Sequence, residues 1–358
     1  MATPHASRWM LYGAYGTTGK LILDTALRRG HRPVIAGRDP VRLAALARQH
    51  GLEALTLRLD TPGSTGSLPG VSAVVNAAGP YFETGAPMRD LCLRARASYI
   101  DLNGEIGDFL EAMRCDVHAR VTGVAIIPGA GFGVVFGEAL AAHVASRMPD
   151  ATWMQMSLAP ANGSRSRGAS RSTASVLAEG GYAISDGELR RRTMAFRTWR
   201  LAVADRAGPT MRFAAAPRAE LVAAHRITGI PEIVTGVPLS LPAALLLRAG
   251  GRLVGAMLSR RDRTRQSGGD AIASGVDSDL RSRIWVEAGN RAGEKVMSVL
   301  ETGEGYRLAA SAALHAVEQF FAKRPVGALT PAQAFGRDFA LSLPQTRIID
   351  LPLESTHG

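Results

Sequence analysis

Residues Trp9 to Asp39 constrain this chain most. Met10 to Tyr12 is a short apolar run that ends on Gly13, and Gly13, Gly16 and Gly19 follow at three-residue spacing. Thr18 to Arg29 carries helical periodicity, with Leu21, Ile22, Ala26 and Leu27 on one face, and Pro33 to Gly37 reads as the next strand. The first glycine permits a tight turn out of a strand, the second lets a pyrophosphate approach the backbone, and the third lets the helix pack closely on the sheet. The helix N-terminus then offers free N–H groups and a partial positive charge to phosphates. In strand–turn–helix context the spacing predicts a dinucleotide site that uses Gly13, Tyr15, Gly16, Thr17, Thr18 and Gly19.

The end of the second strand selects the dinucleotide. A site for NAD(H) usually places Asp or Glu there to hold the ribose 2′-hydroxyl. This chain has Ala36-Gly37-Arg38-Asp39. Glycine leaves room, and an arginine can make a forked contact to a 2′-phosphate, so NADP(H) is expected, with Arg38 as its ligand. Asp39 is expected to cap the helix that starts near Pro40.

Further along, strands and helices keep alternating. A helix is expected over Val41–His50, then strands over Leu55–Leu59 and Val71–Asn76, and a helix opened by Glu83 or Thr84 and running to about Arg96. Next come a strand at Ser98–Leu102, a helix over Asp108–Val121 and a strand at Val124–Ile127. This order argues for an α/β chain with an N-terminal doubly wound parallel sheet, in which ligands lie outside the carboxyl ends of the strands. Asp60, Asn76, Ala77, Gly79 and Pro80 fall near those ends and join the expected cofactor contacts. Tyr81 is a candidate proton donor, with packing beside the cofactor as the alternative. Glu105 can tune protonation, and Asp101 can bind substrate or hydrogen-bond the Pro128–Gly131 loop. Phe132, Ser170 and Thr173 are expected to line the substrate side, and Arg171 lies among them.

Beyond Pro128 the texture changes. Helix Val134–Arg147 and strand Trp153–Ala159 are followed by a polar stretch, Asn162–Arg171, and a helix at Thr173–Glu179. Short strand-like runs fill 182–232, and Arg260–Gly275 reads as a polar, glycine-containing loop. Ile284–Ala288 and Val296–Glu301 form a hairpin, and Tyr306–Ala322 a long helix.

With 358 residues the chain has length for two domains. Its net charge of +11 is mostly arginine, since Lys20, Lys295 and Lys323 are the only lysines. The arginines are scattered, without a compact basic helix bearing interleaved aromatics, so no nucleic-acid partner is expected. A phosphorylated cofactor, an acyl-CoA or an acidic carrier protein suits the charge as well. Cys92 and Cys115 do not form a metal-ligand pattern; reduced thiols, a cytoplasmic location and no metal are expected. The apolar run Ile233–Leu258 is broken by Pro238, Pro242, Arg248 and Arg252, which permits at most contact with a membrane surface. No Tyr-x-x-x-Lys pair precedes any lysine, which removes the phenol–ammonium acid of short-chain dehydrogenases.

The runs Tyr12-Gly13-Ala14-Tyr15-Gly16-Thr17-Thr18-Gly19, Val75-Asn76-Ala77-Ala78-Gly79-Pro80-Tyr81, Tyr99-Ile100-Asp101-Leu102-Asn103-Gly104-Glu105 and Pro128-Gly129-Ala130-Gly131-Phe132 resemble the saccharopine dehydrogenase-like reductases. The closing runs Leu300-Glu301-Thr302-Gly303-Glu304-Gly305-Tyr306 and Leu329-Thr330-Pro331-Ala332-Gln333-Ala334-Phe335-Gly336 are similar to the branch called trans-acting enoyl reductases. The resemblance implies a Rossmann domain from 1–128 plus about 303–358, and an α+β substrate and dimerisation domain over 129–302. It implies NADP(H), a homodimer, and reduction of C=C in a lipid or polyketide-type intermediate. The substrate would be a small molecule or an acyl thioester, with an acyl carrier protein as partner. Saccharopine-type C=N reduction and a non-catalytic NADP-binding protein are the alternatives.

Overall fold

The computed structural model describes residues 8–59, 68–159, 180–202, 210–251 and 281–352. The expected features at 162–171, 173–179 and 260–275, and with them Asp60, Ser170, Arg171 and Thr173, lie outside the described residues.

The N-terminal third alternates as the sequence predicts. Its elements are β1 (Trp9–Tyr12), α1 (Thr17–Arg28), β2 (Val34–Gly37), α2 (Pro40–His50), β3 (Ala54–Thr56), β4 (Ala73–Asn76), α3 (Tyr81–Ala95), β5 (Ser98–Asp101), α4 (Ile106–Arg114), α5 (Asp116–Thr122) and β6 (Ala125–Ile127). Then follow α6 (Phe132–Arg147), β7 (Trp153–Ala159), β8 (Gly181–Ser185), β9 (Glu188–Arg192), β10 (Thr198–Ala202), β11 (Thr210–Ala215), α7 (Ala219–Thr228) and β12 (Glu232–Pro238). A helix over 241–251, α8, comes next. The chain closes with β13 (Ser282–Gly289), β14 (Lys295–Thr302), α9 (Gly305–Lys323), β15 (Gly327–Ala328), α10 (Pro331–Phe335) and β16 (Arg347–Leu351).

The first sheet is parallel, in the order β15-β6-β5-β4-β1-β2-β3. Strands β1, β2, β4 and β5 are buried along their whole length, as a sheet covered on both faces requires. The order reverses between β1 and β4, which opens a crevice at their carboxyl ends. The second sheet is mixed, in the order β10-β11-β12-β7-β13-β14-β16, with the β8–β9 hairpin attached to β12.

Two boundaries differ from the sequence expectation for local reasons. Helix α3 starts at Tyr81 because a carboxylate from a distant loop caps its first N–H groups. The helix expected over Asp108–Val121 is two helices that meet at Cys115. There Asp116 accepts from the Ala328 backbone and so anchors α5 to β15.

The C-terminal segment returns to the first sheet, then leaves it. Helix α9 packs on α1, where Glu318 meets Arg29 at 3.0 Å and His31 at 3.3 Å. Strand β15 then pairs with β6. Strand β16 instead pairs with β14, so 347–351 belongs to the second sheet. Asp350 fixes it there by accepting from Ser298 Oγ at 2.7 Å and facing His143 and Arg147.

One apolar core serves both sheets, running from Leu11, Ile22 and Ile100 through Val134 and Phe136 to Met156, Ile284 and Leu314. Helix α6 is buried nearly all round, with Glu138 in its middle. Both Glu138 carboxylate oxygens are used: one accepts from Thr330 Oγ1, the other from Ala332 N at 2.9 Å. They finish the N-terminus of α10, so a charge inside α6 is retained because another helix end needs it. Burial pushes the Glu138 carboxyl up to about 7, while the bonds from Thr330 and Ala332 pull it down. A folded-state value above the ordinary 4.5 gives stability that is present at low pH and lost as pH rises through 7. Denaturant midpoints should therefore fall between pH 5 and pH 8, and Glu138→Gln should flatten that fall; an unchanged slope in the variant would contradict this.

Candidate functional site

At the mouth of the crevice the glycines of the β1–α1 turn are fixed by contact. Gly13 has φ +82°, and a Cβ there would sit 2.9 Å from the Ala78 Cβ in the β4 loop. A Cβ on Gly19 would run into the Gly13 carbonyl, so α1 approaches the turn only through glycine. Gly16 N donates to Gly13 O at 2.9 Å and closes the turn. Helix α1 has no side-chain cap and no acidic residue in its first turn. Its first N–H groups, from Thr17, Thr18 and Gly19, thus sit at an open helix end suited to a pyrophosphate.

Beside this turn Tyr15 lies across the end of β2. Its hydroxyl accepts from Arg38 N and Asp39 N, each at 3.1 Å. A Cβ on Gly37 would stand 2.5 Å from the Tyr15 ring, so this glycine makes room for tyrosine. The guanidinium of Arg42 lies 4.7 Å from the Tyr15 ring centroid, on the ring face. Asp39 caps α2 as expected, accepting from Val41 and Arg42. Tyr15 is thus a support for the two exposed arginines, Arg38 and Arg42, and its hydroxyl is taken by backbone. The sequence reading omitted Arg42. The available signal was its place in the first turn of the helix that Asp39 caps, beside Arg38.

The β4 and β5 ends form a buried polar network. Asn76 is fully buried; its side chain accepts from Ala78 N at 3.1 Å and donates toward Thr84 and Tyr99. It shapes the Ala77–Pro80 loop from beneath. Asp101 is also fully buried and accepts from Tyr99 at 2.7 Å and from Asn103 N and Gly129 N at 2.8 Å each. Its side chain thus bonds to the Pro128–Gly131 loop, one of the two roles expected of it. Burial and Asp108 push its carboxyl up to about 7 against the pull of those bonds. Arg89 and Asp108 form a buried fork with both N–O distances 2.8 Å, and Asn103 joins Asp108. Burial works against the Arg89 charge, but the bonds to Asp108 outweigh it and raise its pKa.

Glu105 spends both oxygens on backbone: Tyr81 N and Phe82 N each donate to it at 2.9 Å. The carboxylate takes the place of a side-chain cap at the start of α3, where the N-cap residue is Pro80, and positions Tyr81. The tyrosine hydroxyl lies 3.5 Å from Asn76 O and its ring stands beside Gly79. Burial raises its pKa well above 10, with Asp101 and Glu105 adding to the effect, so the phenol keeps its proton.

On the far rim, Phe132 opens α6, packs on Phe136 at 5.6 Å and borders Gly305 at the start of α9. The adjoining α7 brings Arg218 and Glu220 to the Gly104 loop, where Ala219 N donates to Gly104 O at 3.3 Å. The sequence reading did not single out these two residues, because the helix carrying them lay in a region read as short strands. Among the described residues no group of three or more metal-ligating side chains occurs, and no helix is long and apolar enough to cross a membrane.

Residues 9–127 match the family described as the saccharopine dehydrogenase NADP binding domain. This part of the chain is a saccharopine dehydrogenase-type NADP-binding domain. The domain's own geometry fits that cofactor: a glycine cradle without room for a Cβ, an uncapped helix end, and two arginines at β2. Over 114 residues the chain is 35% identical to a trans-acting enoyl reductase of Mycobacterium tuberculosis, covering 29% of this chain and 27% of that protein. Over 145 residues it is 30% identical to the human saccharopine dehydrogenase-like oxidoreductase, covering 34% of each. The matched part thus spans about a third or less of these relatives. The fold of the whole chain is similar to apo saccharopine dehydrogenase (L-Glu forming) from Saccharomyces cerevisiae, with TM-score 0.61 and 13% identity over 97% of this chain and 100% of that one.

The NADP-binding domain depends on the Arg89–Asp108 pair beneath its cleft. Arg89→Met should cost about 3–5 kcal/mol in denaturant unfolding, because it leaves Asp108 buried and uncompensated. Replacing both partners by Met and Leu should recover much of that loss. A single variant as stable as the parent would contradict the role.

Proposed function

We propose that the chain is an NADPH-dependent reductase that reduces a C=C bond conjugated to a thioester, in a lipid or polyketide-type intermediate. The cleft at the strand reversal carries the reading: open phosphate-binding N–H groups on one side of it, Arg38 and Arg42 at its β2 end, and Tyr81 at its β4 end. NADPH bound there supplies a hydride. Arg38 and Arg42 hold a 2′-phosphate, and Tyr15 keeps them in register. Glu105 is the positioning residue for Tyr81 and, with both oxygens engaged, is not the proton donor. Hydride adds to the β-carbon of the enoyl group, and the Tyr81 phenol, which stays protonated, is the candidate donor of the proton to the α-carbon. Phe132 and the 47% exposed Phe82 give the rim an apolar lining suited to an acyl chain. The enoyl reductase name of the mycobacterial relative supports the same choice. C=N reduction is the second reading, favoured by the charged pair Arg218–Glu220 on that rim.

NADPH should bind more tightly than NADH. Arg38→Ala or Arg42→Ala should each cost ~1.5–3 kcal/mol of NADPH affinity, with little change for NADH. Equal affinities in the unaltered protein, measured by fluorescence titration, would contradict the assignment.

Stopped-flow NADPH oxidation with crotonyl-pantetheine and with a cyclic imine tests the bond reduced; turnover of the imine alone would replace the first reading by the second. On the accepted substrate, Tyr81→Phe should lower turnover by ~10²-fold or more while NADPH binding is kept. Unchanged turnover would reduce Tyr81 to packing.

A further inference from the structure

The pair formed by Arg218 and Glu220 is incomplete. Arg218 Nε and Nη2 both donate to one oxygen of Glu220, at 3.1 and 2.6 Å. The remaining N–H groups of that guanidinium have no partner among the described residues, and its side chain is 32% exposed. Glu220 is 0% exposed, and its second oxygen has no hydrogen-bond partner. A buried carboxylate oxygen left bare is rare in folded proteins and calls for a donor. The free groups are therefore donors on Arg218 and an acceptor on Glu220, within a pair whose charges cancel.

The surroundings keep this pair in place. A Cβ on Gly133 would collide with the Glu220 carboxylate and stand 2.9 Å from Arg218 Nη2. A Cβ on Gly137 would come within 3.2 Å of Glu220 Cγ, so α6 and α7 approach through two glycines one turn apart. On the other side Arg218 Nη2 lies 3.6 Å from the Cβ position of Gly104. Gly104 precedes Glu105, which caps the helix that begins with Tyr81. The guanidinium thus abuts the loop whose next residue caps the Tyr81 helix.

We propose that Arg218 is a specificity-determining residue that binds the polar head of the substrate, with Glu220 as its positioning partner. The head it fits carries an acceptor for the guanidinium next to a donor for the buried, unpartnered Glu220 oxygen. A carboxylate beside an ammonium has this pattern, and so does a secondary amide. The first would come from an amino-acid substrate, the second from the arm of a pantetheine thioester. A fully anionic head without a donor fits less well, because Glu220 already neutralises Arg218. The inference rests on the reductase reading above.

Calorimetric titration of the NADP⁺-loaded full chain with L-glutamate and with crotonyl-pantetheine tests it. One of these probes should bind, which names the source of the head. Arg218→Met, Arg218→Lys and Glu220→Gln should each weaken that probe by at least tenfold, with unaltered NADPH affinity and cooperative melting. The lysine variant keeps the charge and loses the fork, so its failure separates forked recognition from attraction alone. Equal affinity in all variants, or no binding of either probe to the unaltered protein, would overturn the proposal and leave the pair a tie between α6 and α7. Failure to bind NADPH at all would count against the reductase reading and remove the proposal with it.

Discussion

The Glu105 carboxylate bonded to the first two N–H groups of α3 is the interaction on which the cleft depends. A helix start leaves N–H groups that its own backbone cannot satisfy. Here the preceding residue is Pro80, which offers no side-chain acceptor, so the cap must come from elsewhere. Glu105 reaches it from the loop after β5 and ties the ends of two neighbouring strands together. Asn103 accepts from Glu105 N and binds Asp108, which in turn holds Arg89 in the middle of α3. Asp101 extends the same web to the loop before α6. Cleft and support are thus one hydrogen-bonded unit, with Tyr81 at the start of the helix it caps.

This web explains why acidic residues at strand ends divide as they do. Asp101 and Glu105 are the residues that chemistry at a strand end suggests for catalysis. Instead, Glu105 has both oxygens on backbone N–H groups, while Asp101 accepts two backbone N–H bonds on one oxygen and the Tyr99 hydroxyl on the other. The same device recurs where Glu138 in α6 caps α10. In each case a buried carboxylate completes a helix end or loop from another part of the chain, and the charge is stabilised by fixed N–H dipoles.

Much of the first sheet was legible in the sequence because its signals are local. Glycine spacing sets the β1–α1 turn, Asp39 followed by Pro40 sets the α2 start, and uninterrupted apolar runs mark the buried strands. The second sheet was legible in parts: Trp153–Ala159 and the hairpin around Gly289–Lys295 follow from alternation and turn residues. What could not be read were contacts made across long sequence distances. Nothing near Tyr81 shows that Glu105 moves the helix start forward to it. Nothing near Arg347 shows that β16 leaves the first sheet for the edge of β14. Arg42, Arg218 and Glu220 were missed for a related reason. A charged residue on a helix reads as solvated surface until its neighbours in space are known.

The crevice between β1 and β4, with arginines at one end and Tyr81 at the other, is on this reading an NADP site supported by the Glu105 web. The most direct measurement is a crystal structure of the full chain grown with NADP⁺. The pyrophosphate should lie on the Gly13–Gly19 turn, the 2′-phosphate between Arg38 and Arg42, and the nicotinamide beside Gly79 and Tyr81. A dinucleotide bound in the opposite sense, or one whose 2′-phosphate touches neither arginine, would contradict it.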